Sequence, residues 1–271
     1  MPPRTPLPLL LAALLAGFAV SAPAALRAQA PAIAQFTSGM QSQEGFVPVH
    51  LDPETGKVFL EIARFGEDVL YLNALATGLG SARAFRLDAG GGGDEAVVRF
   101  ERRGPRVVMV RRNTNVTATS GDPGQVGGAE KSFPVSVLAS MPIVARSGER
   151  VLVDATDFFL SDAAGVAQDL QRRGEGTFRL DRDRSVIHLP RTKAFPENTE
   201  VEASLTFASD APGGEIRRHT PDGRALTLRQ HHSLVQLPPP GYEPRRHDPR
   251  VGIFGVSFYD FGKSFDQDYQ T

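Results

Sequence analysis

The chain has 271 residues, enough for one large domain or two small ones, and a formal net charge of -1 at pH 7. That balance supplies no global field for nucleic acid or an anionic membrane surface. There is no Cys, which excludes disulfides, thiol chemistry, Cys-ligated zinc and a lipid anchor on cysteine, and no Trp, which weighs against a sugar-stacking platform.

The chain opens on a targeting segment. Arg4 and the amino terminus precede the apolar core Leu7 to Val20, and small residues follow in SAPAALRAQAPA. Such a core is short for a bilayer span and suits a secretory signal. Residues 1–32 are therefore expected to be a signal peptide, and the mature part to be periplasmic or secreted, with no membrane association after cleavage.

Ala32 to Gly45 is small and polar and reads as a mobile lead-in. FVPVHLD and KVFLEIA then flank the turn Asp52 to Gly56. Val58, Leu60 and Ile62 alternate with Phe59, Glu61 and Ala63, so one face of this strand should be the better buried. Leu70 to Asn113 carries the bursts LYLNAL, AFRL, AVVRF and RVVMV, separated by TGLGS, AGGGGD and RRGP. Short bursts rich in Val, Phe and Leu predict strands, with a hairpin loop over Glu101 to Arg106.

Thr114 to Lys131 is polar and Gly-rich. A loop this long in a compact domain is mobile or packs on something else. SFPVSVLASMPIVAR, interrupted by Pro134 and Pro142, reads as an extended strand or a short helical turn. GERVLVDATDFFLSD predicts a strand ending at Asp154, with Asp154, Thr156 and Asp157 available as helix caps. Asp162 to Arg173 is the one good helix candidate. Ala163, Val166, Ala167 and Leu170 fall at helical spacing and Gly174 ends it, and the helix is expected at the edge of the sheet.

Strands resume with TFRL, SVIHLP, TKAF, TEVEASLTF and RALTLRQHHSLVQLP. Asp181 to Arg184 is expected to link the first two as a hairpin, Pro196 to Asn198 to link the third and fourth, and Pro221-Asp222-Gly223 to turn. Val201, Ala203, Leu205 and Phe207 alternate with Glu202, Ser204 and Thr206, the clearest strand with one buried face. From Leu237 the chain is Pro-rich and charged, then aromatic in VGIFGVSFYDFGKSFDQDYQT. That end predicts either a last strand pair or a segment packing on a neighbour. The expected fold is mainly β: an antiparallel sandwich or strongly bent sheet with one or two short helices and an extended C-terminal segment. Residues 33–240 form the expected β-rich domain, and residues 241–271 a Pro-rich linker and aromatic tail.

Catalytic patterns are missing. None of His50, His188, His219, His231, His232 and His247 is followed by Glu, so no H-E-x-x-H helix is encoded. Adjacent residues on a strand point to opposite faces, so His231 and His232 cannot chelate one ion together. There is no G-x-S-x-G elbow. Gly78-Leu79-Gly80-Ser81 lacks the third Gly of a dinucleotide loop, and Gly90 to Gly93 lacks the Lys of a phosphate loop. Asp181 and Asp183 alternate with Arg182 and Arg184, a poor calcium cup. No catalytic, cofactor-binding or metal-ligating residue is assigned, and the chain alone is expected to be inactive.

An ordered set of short motifs carries a resemblance. They are Gly45-Phe46-Val47-Pro48-Val49-His50, Lys57 to Ile62, Gly78 to Ser81, Val97 to Arg102 with Gly104, Ser132-Phe133, Val151 to Thr156 and His231 to Leu234. Gly241-Tyr242-Glu243-Pro244-Arg245 and Asp248 to Gly252 complete it. The chain resembles the N-terminal region of large exported bacterial zinc-dependent metalloproteases, in which domains of unknown function precede a metzincin-like catalytic domain. The resemblance implies a non-catalytic region that supports or shields a catalytic domain in cis. It implies zinc only in that absent domain, through a motif H-E-x-x-H-x-x-G-x-x-H; that no nucleic-acid partner is expected rests on the net charge of -1. The alternative is a stand-alone periplasmic binding or interaction module.

Overall fold

Alternating apolar residues draw most of this chain into one long antiparallel sheet. The structure, a computed structural model, describes residues 30–80, 87–239, 241–243, 248–252 and 255–270. The signal segment through Gln29, Ser81, Ala84 to Arg86 of the AFRL burst, and Pro244-Arg245 lie outside the described residues. In chain order the strands are β1 (Gln41–Gln43), β2 (Val49–Leu51), β3 (Val58–Ile62), β4 (Asp68–Leu75), β5 (Asp94–Arg103), β6 (Arg106–Arg111), β7 (Val116–Thr117), β8 (Ser136–Ser147) and β9 (Arg150–Asp154). They continue as β10 (Arg179–Ile187), β11 (Lys193–Ala194), β12 (Asn198–Ala208), β13 (Ala225–Gln236), β14 (Phe258–Asp260) and β15 (Tyr269–Gln270). Short helices intervene: α1 (Ile33–Phe36), α2 (Pro123–Ser132), α3 (Thr156–Phe159), α4 (Val166–Arg172) and α5 (Gly214–His219).

Twelve strands share one sheet, in the order β1-β2-β3-β9-β8-β6-β5-β4-β13-β12-β10, with β11 also paired to β12. The path is open, and the fold is mainly β as expected. The sheet turns on β8. Ser136 to Pro142 run along β6, whereas Ile143 to Ser147 run along β9, with register shifts on both sides. Pro142 sits where the partner changes, a place where a missing N–H is tolerated. The bend brings the two arms over one core. Val49, Leu51 and Leu60 of one arm cluster with Val201, Leu205 and Phe207 of the other.

Several local expectations change. The lead-in is ordered: Ile33 and Phe36 of α1 pack with Phe59, Ala145 and Leu152. Phe36 meets Phe59 edge-on at 5.3 Å. This small second core covers Phe59, and His50 and Arg150 lie against Glu61, so all five β3 residues are buried rather than one face only. The Thr114 to Lys131 connection contains β7 and α2. Asp122 caps α2, its Oδ1 accepting the N–H of Gly124 (2.6 Å) and Gln125 (3.3 Å), and Pro123 opens the helix.

The candidate helix is realised as α4. Its start is fixed by Asp162, whose carboxylate accepts the N–H groups of Val166 (2.8 Å) and Ala167 (2.9 Å), and Gly174 ends it at φ 74°. It does not lie at the sheet edge. Val166 and Leu170 are buried in the main core, and Gln230 of β13 ties down the preceding turn through Ala164 N–H (2.8 Å) and Ser161 C=O (2.9 Å). The predicted Asp181 to Arg184 hairpin is instead a bulge within β10. Ser185 Oγ donates to Asp181 C=O (2.6 Å) and accepts Thr206 N–H (3.0 Å), replacing ladder bonds the bulge removes. The turn before β12 forms as expected, with Lys193 and Ala194 pairing back on Glu200 and Thr199. In β12 the apolar face is buried, but so are Glu202 and Thr206 on the other.

Candidate functional site

The alternation of β13 sends its two adjacent histidines into opposite environments, as the sequence predicts. His231 is partly exposed. Its Nε2 lies 2.6 Å from Glu200 Oε2 and its Nδ1 3.3 Å from Glu202 Oε1. The Glu200 hydrogen bond, opposed by partial burial, raises the pKa of His231. Burial works against Glu200's charge, but hydrogen bonds from His231, Ser233 and Asn198 outweigh it and hold the carboxyl below its usual range. Arg229 completes the row at 3.4 Å from Glu202 and 3.2 Å from His188.

His232 is buried between Tyr71, Phe158 and Phe159. Gln230 Oε1 accepts Ala164 N–H, so its donor-only Nε2 is the group 2.8 Å from His232 Nε2. That ring nitrogen must accept. The ring proton is therefore on Nδ1, directed at Tyr71 Oη 2.8 Å away. Burial, helped by the nearby His231, pushes His232 down to about 3, and burial pushes the Tyr71 phenol up. The neutral ring is thus partnered at both nitrogens. Beside it a pocket of about 160 Å³ is lined by Tyr71, Arg111 and Leu138, among others.

Three of the motifs that carry the resemblance, at Gly45 to His50, Lys57 to Ile62 and Val151 to Thr156, join pieces of the sheet. Thr156 Oγ1 accepts Val58 N–H (3.1 Å), and Lys57 reaches Asp154 at 2.9 Å. Thr199 Oγ1 accepts Val47 N–H (3.1 Å) and donates to Val47 C=O (2.8 Å). Gly45 is required there, because a Cβ would sit 2.7 Å from Phe195 O. His50 is buried, with Ser42 Oγ at 2.7 Å and Glu61 at 3.6 Å, and burial lowers its pKa. Glu61 is in turn held by Arg150 at 2.6 Å.

A second cleft, larger than the pocket beside Tyr71, lies on the other side of β5 and β6. The excursion from Asn113 to Val135 folds β7 and α2 over that face and leaves a cleft of about 330 Å³. Its floor includes Arg99, Val110 and Arg112, and its apolar wall includes Val126, Ala129 and Phe133. The C-terminal segment supports this excursion. β14 pairs with β15 and, in parallel, with β7. The buried Asp260 carboxylate accepts Thr119 N–H (3.0 Å), the Thr119 hydroxyl and Gly262 N–H (3.1 Å), and these bonds, the Thr119 hydroxyl first, lower its pKa. Phe261 packs edge-on against Phe133 of the excursion at 5.8 Å.

A family model described as a domain of unknown function, DUF5117, matches residues 90–271. The chain belongs to this family. No curated protein and no solved structure matches it. The DUF5117 match begins just before β5 and so omits β1 to β4, although β4 lies between β5 and β13 in the sheet. The cleft, the excursion and the aromatic segment all lie within the DUF5117 residues, apart from the Asp68 that bridges two of its arginines. Among the described residues, no group of three or more His, Asp or Glu is arranged to hold a metal ion. The cleft had a legible cue in Asp122-Pro123, a capped helix start; its two floor arginines had none.

Proposed function

We propose that this chain is the non-catalytic N-terminal region of an exported bacterial zinc-dependent metalloprotease, where it supports or shields a catalytic domain. The observation that carries this is the aromatic surface of the β14–β15 unit. Phe265 is 98 % exposed, Tyr259 52 % and Tyr269 60 %, while the same unit is pinned to the body by a fully buried Asp260. A rigidly anchored apolar surface left in water is characteristic of an interface. The ordered motifs support the same view, because those at Gly45 to His50, Lys57 to Ile62 and Val151 to Thr156 serve in this fold as sheet junctions. Zinc belongs, on this view, to the catalytic domain.

The test starts from the DNA after the codon for Thr271. If a frame encoding H-E-x-x-H-x-x-G-x-x-H follows, the longer protein is expressed with and without Phe265→Ser and Tyr259→Ser, and zinc-dependent casein cleavage and domain dissociation are measured. Weakened domain association in the double variant is expected. A frame that ends at Thr271 with no such motif beyond it refutes the proposal. A stand-alone binding module is the second reading, favoured by the pocket lined by Tyr71 and Arg111 and by the larger cleft beneath α2.

A further inference from the structure

We infer that the cleft beneath α2 is a binding site for an apolar carboxylate, a ligand with one anionic head and an aliphatic or aromatic body. The inference does not depend on a neighbouring protease domain. Two cations line the floor of the cleft, Arg99 and Arg112. Both are bound to a single carboxylate, Asp68: Arg99 Nε to Oδ1, and Arg112 Nη1 to Oδ2 at 2.7 Å. Two guanidiniums on one carboxylate leave one unit of positive charge uncompensated at the floor. Each guanidinium has five N–H donors in a fork that fits a second carboxylate. Both side chains remain about a third exposed, at 34 % and 38 %, so a ligand can reach them.

The two other acidic residues of the lining do not cancel this charge at the floor. Glu101 is paired with Arg103 at 2.8 Å, and Glu130 is exposed at the rim. Opposite the cations, Val126, Ala129 and Phe133 present an apolar wall. The volume of about 330 Å³ lies at the lower end of the range for small-molecule sites. It admits a medium-chain acid or the last residues of a peptide. These are two sources of one chemistry, and the experiment separates them.

Calorimetric titration of the full chain would use octanoate, octanamide, and the dipeptide N-acetyl-leucyl-leucine as free acid and as amide. The acids should bind and the amides should bind at least about tenfold more weakly, because the charge-assisted hydrogen bonds are lost. Octanoate tighter than the dipeptide acid identifies a fatty-acid type of ligand; the reverse order identifies a peptide C-terminus. Arg112→Gln should weaken the preferred acid about tenfold or more. Because that variant also breaks a bond to Asp68, Val126→Glu serves as a second probe. It places a carboxylate at the exposed lip without touching Asp68 and should weaken the acid comparably. Equal binding of acid and amide, no binding by either acid, or unchanged octanoate affinity in folded Val126→Glu protein would overturn the assignment.

Discussion

His232 makes the stability of this fold depend on pH in a window where few other groups titrate. Its ring is buried and neutral, with a folded pKa of about 3 against an ordinary value of 6.5. A histidine whose pKa is depressed by folding contributes stability that is full above 6.5 and is lost as pH falls toward 3. One pKa unit corresponds to about 1.4 kcal/mol, so acidification from pH 6.5 to pH 5 should remove about 2 kcal/mol through this residue alone. His231 has the opposite sign: its raised pKa adds stability that is full below 6.5 and fades as pH rises through the folded value. His50 shares the sign of His232. Glu200 and Asp154, whose folded pKa values are lowered, lose stability only below their ordinary values of 4.5 and 3.8. The comparison is therefore wild type against His232→Gln, which keeps a polar side chain but does not titrate. Urea midpoints at pH 6.5 and 5.0 should move together less in the variant, by about 2 kcal/mol after conversion with the measured slope. Equal acid sensitivity in the two proteins would refute the buried neutral ring.

Three further outcomes follow from packing and pairing. Thr199→Val leaves the N–H and C=O of Val47 without their partner and should cost about 1–3 kcal/mol in urea denaturation. Leu170→Ala should cost about 2–5 kcal/mol by the same assay, since α4 packs on the main core and not on a free edge. A fragment of residues 90–271, which matches the family boundary, should fail to give a cooperative urea transition, because β5 and β13 lose the strand between them; a cooperative transition like that of residues 33–271 would show β4 to be dispensable.

Much of the sheet was legible because its residues obey a two-residue period. Val201 to Phe207 and the His231-His232 split follow from alternation alone. What failed was long-range or disguised. The burial of Phe59 and Glu202 depends on α1 and on neighbouring strands that no local window contains. The bulge at Asp181 to Arg184 carries the same turn-forming residues as a hairpin, and only the hydroxyl of Ser185 marks the difference. Gly127 and Gly128 hid α2 by lowering its helical propensity, although Asp122 and Pro123 announced its start. The β5–β6 hairpin places Arg99 and Arg112 near each other, but their sharing of one carboxylate was hidden because Asp68 lies outside that stretch of sequence.

The position of β4 in the middle of the sheet bears on how the chain reaches this shape. Strand β3 must wait for β9, and β4 must wait for β13, which begins at Ala225. During synthesis, unpaired apolar edges persist until nearly the whole chain has emerged. Such non-local pairing makes for slow folding and exposes the intermediates to aggregation. The sheet therefore completes late and as a whole. A holdase that keeps Asp68 to Leu75 from pairing wrongly would act on the segment whose delay limits assembly.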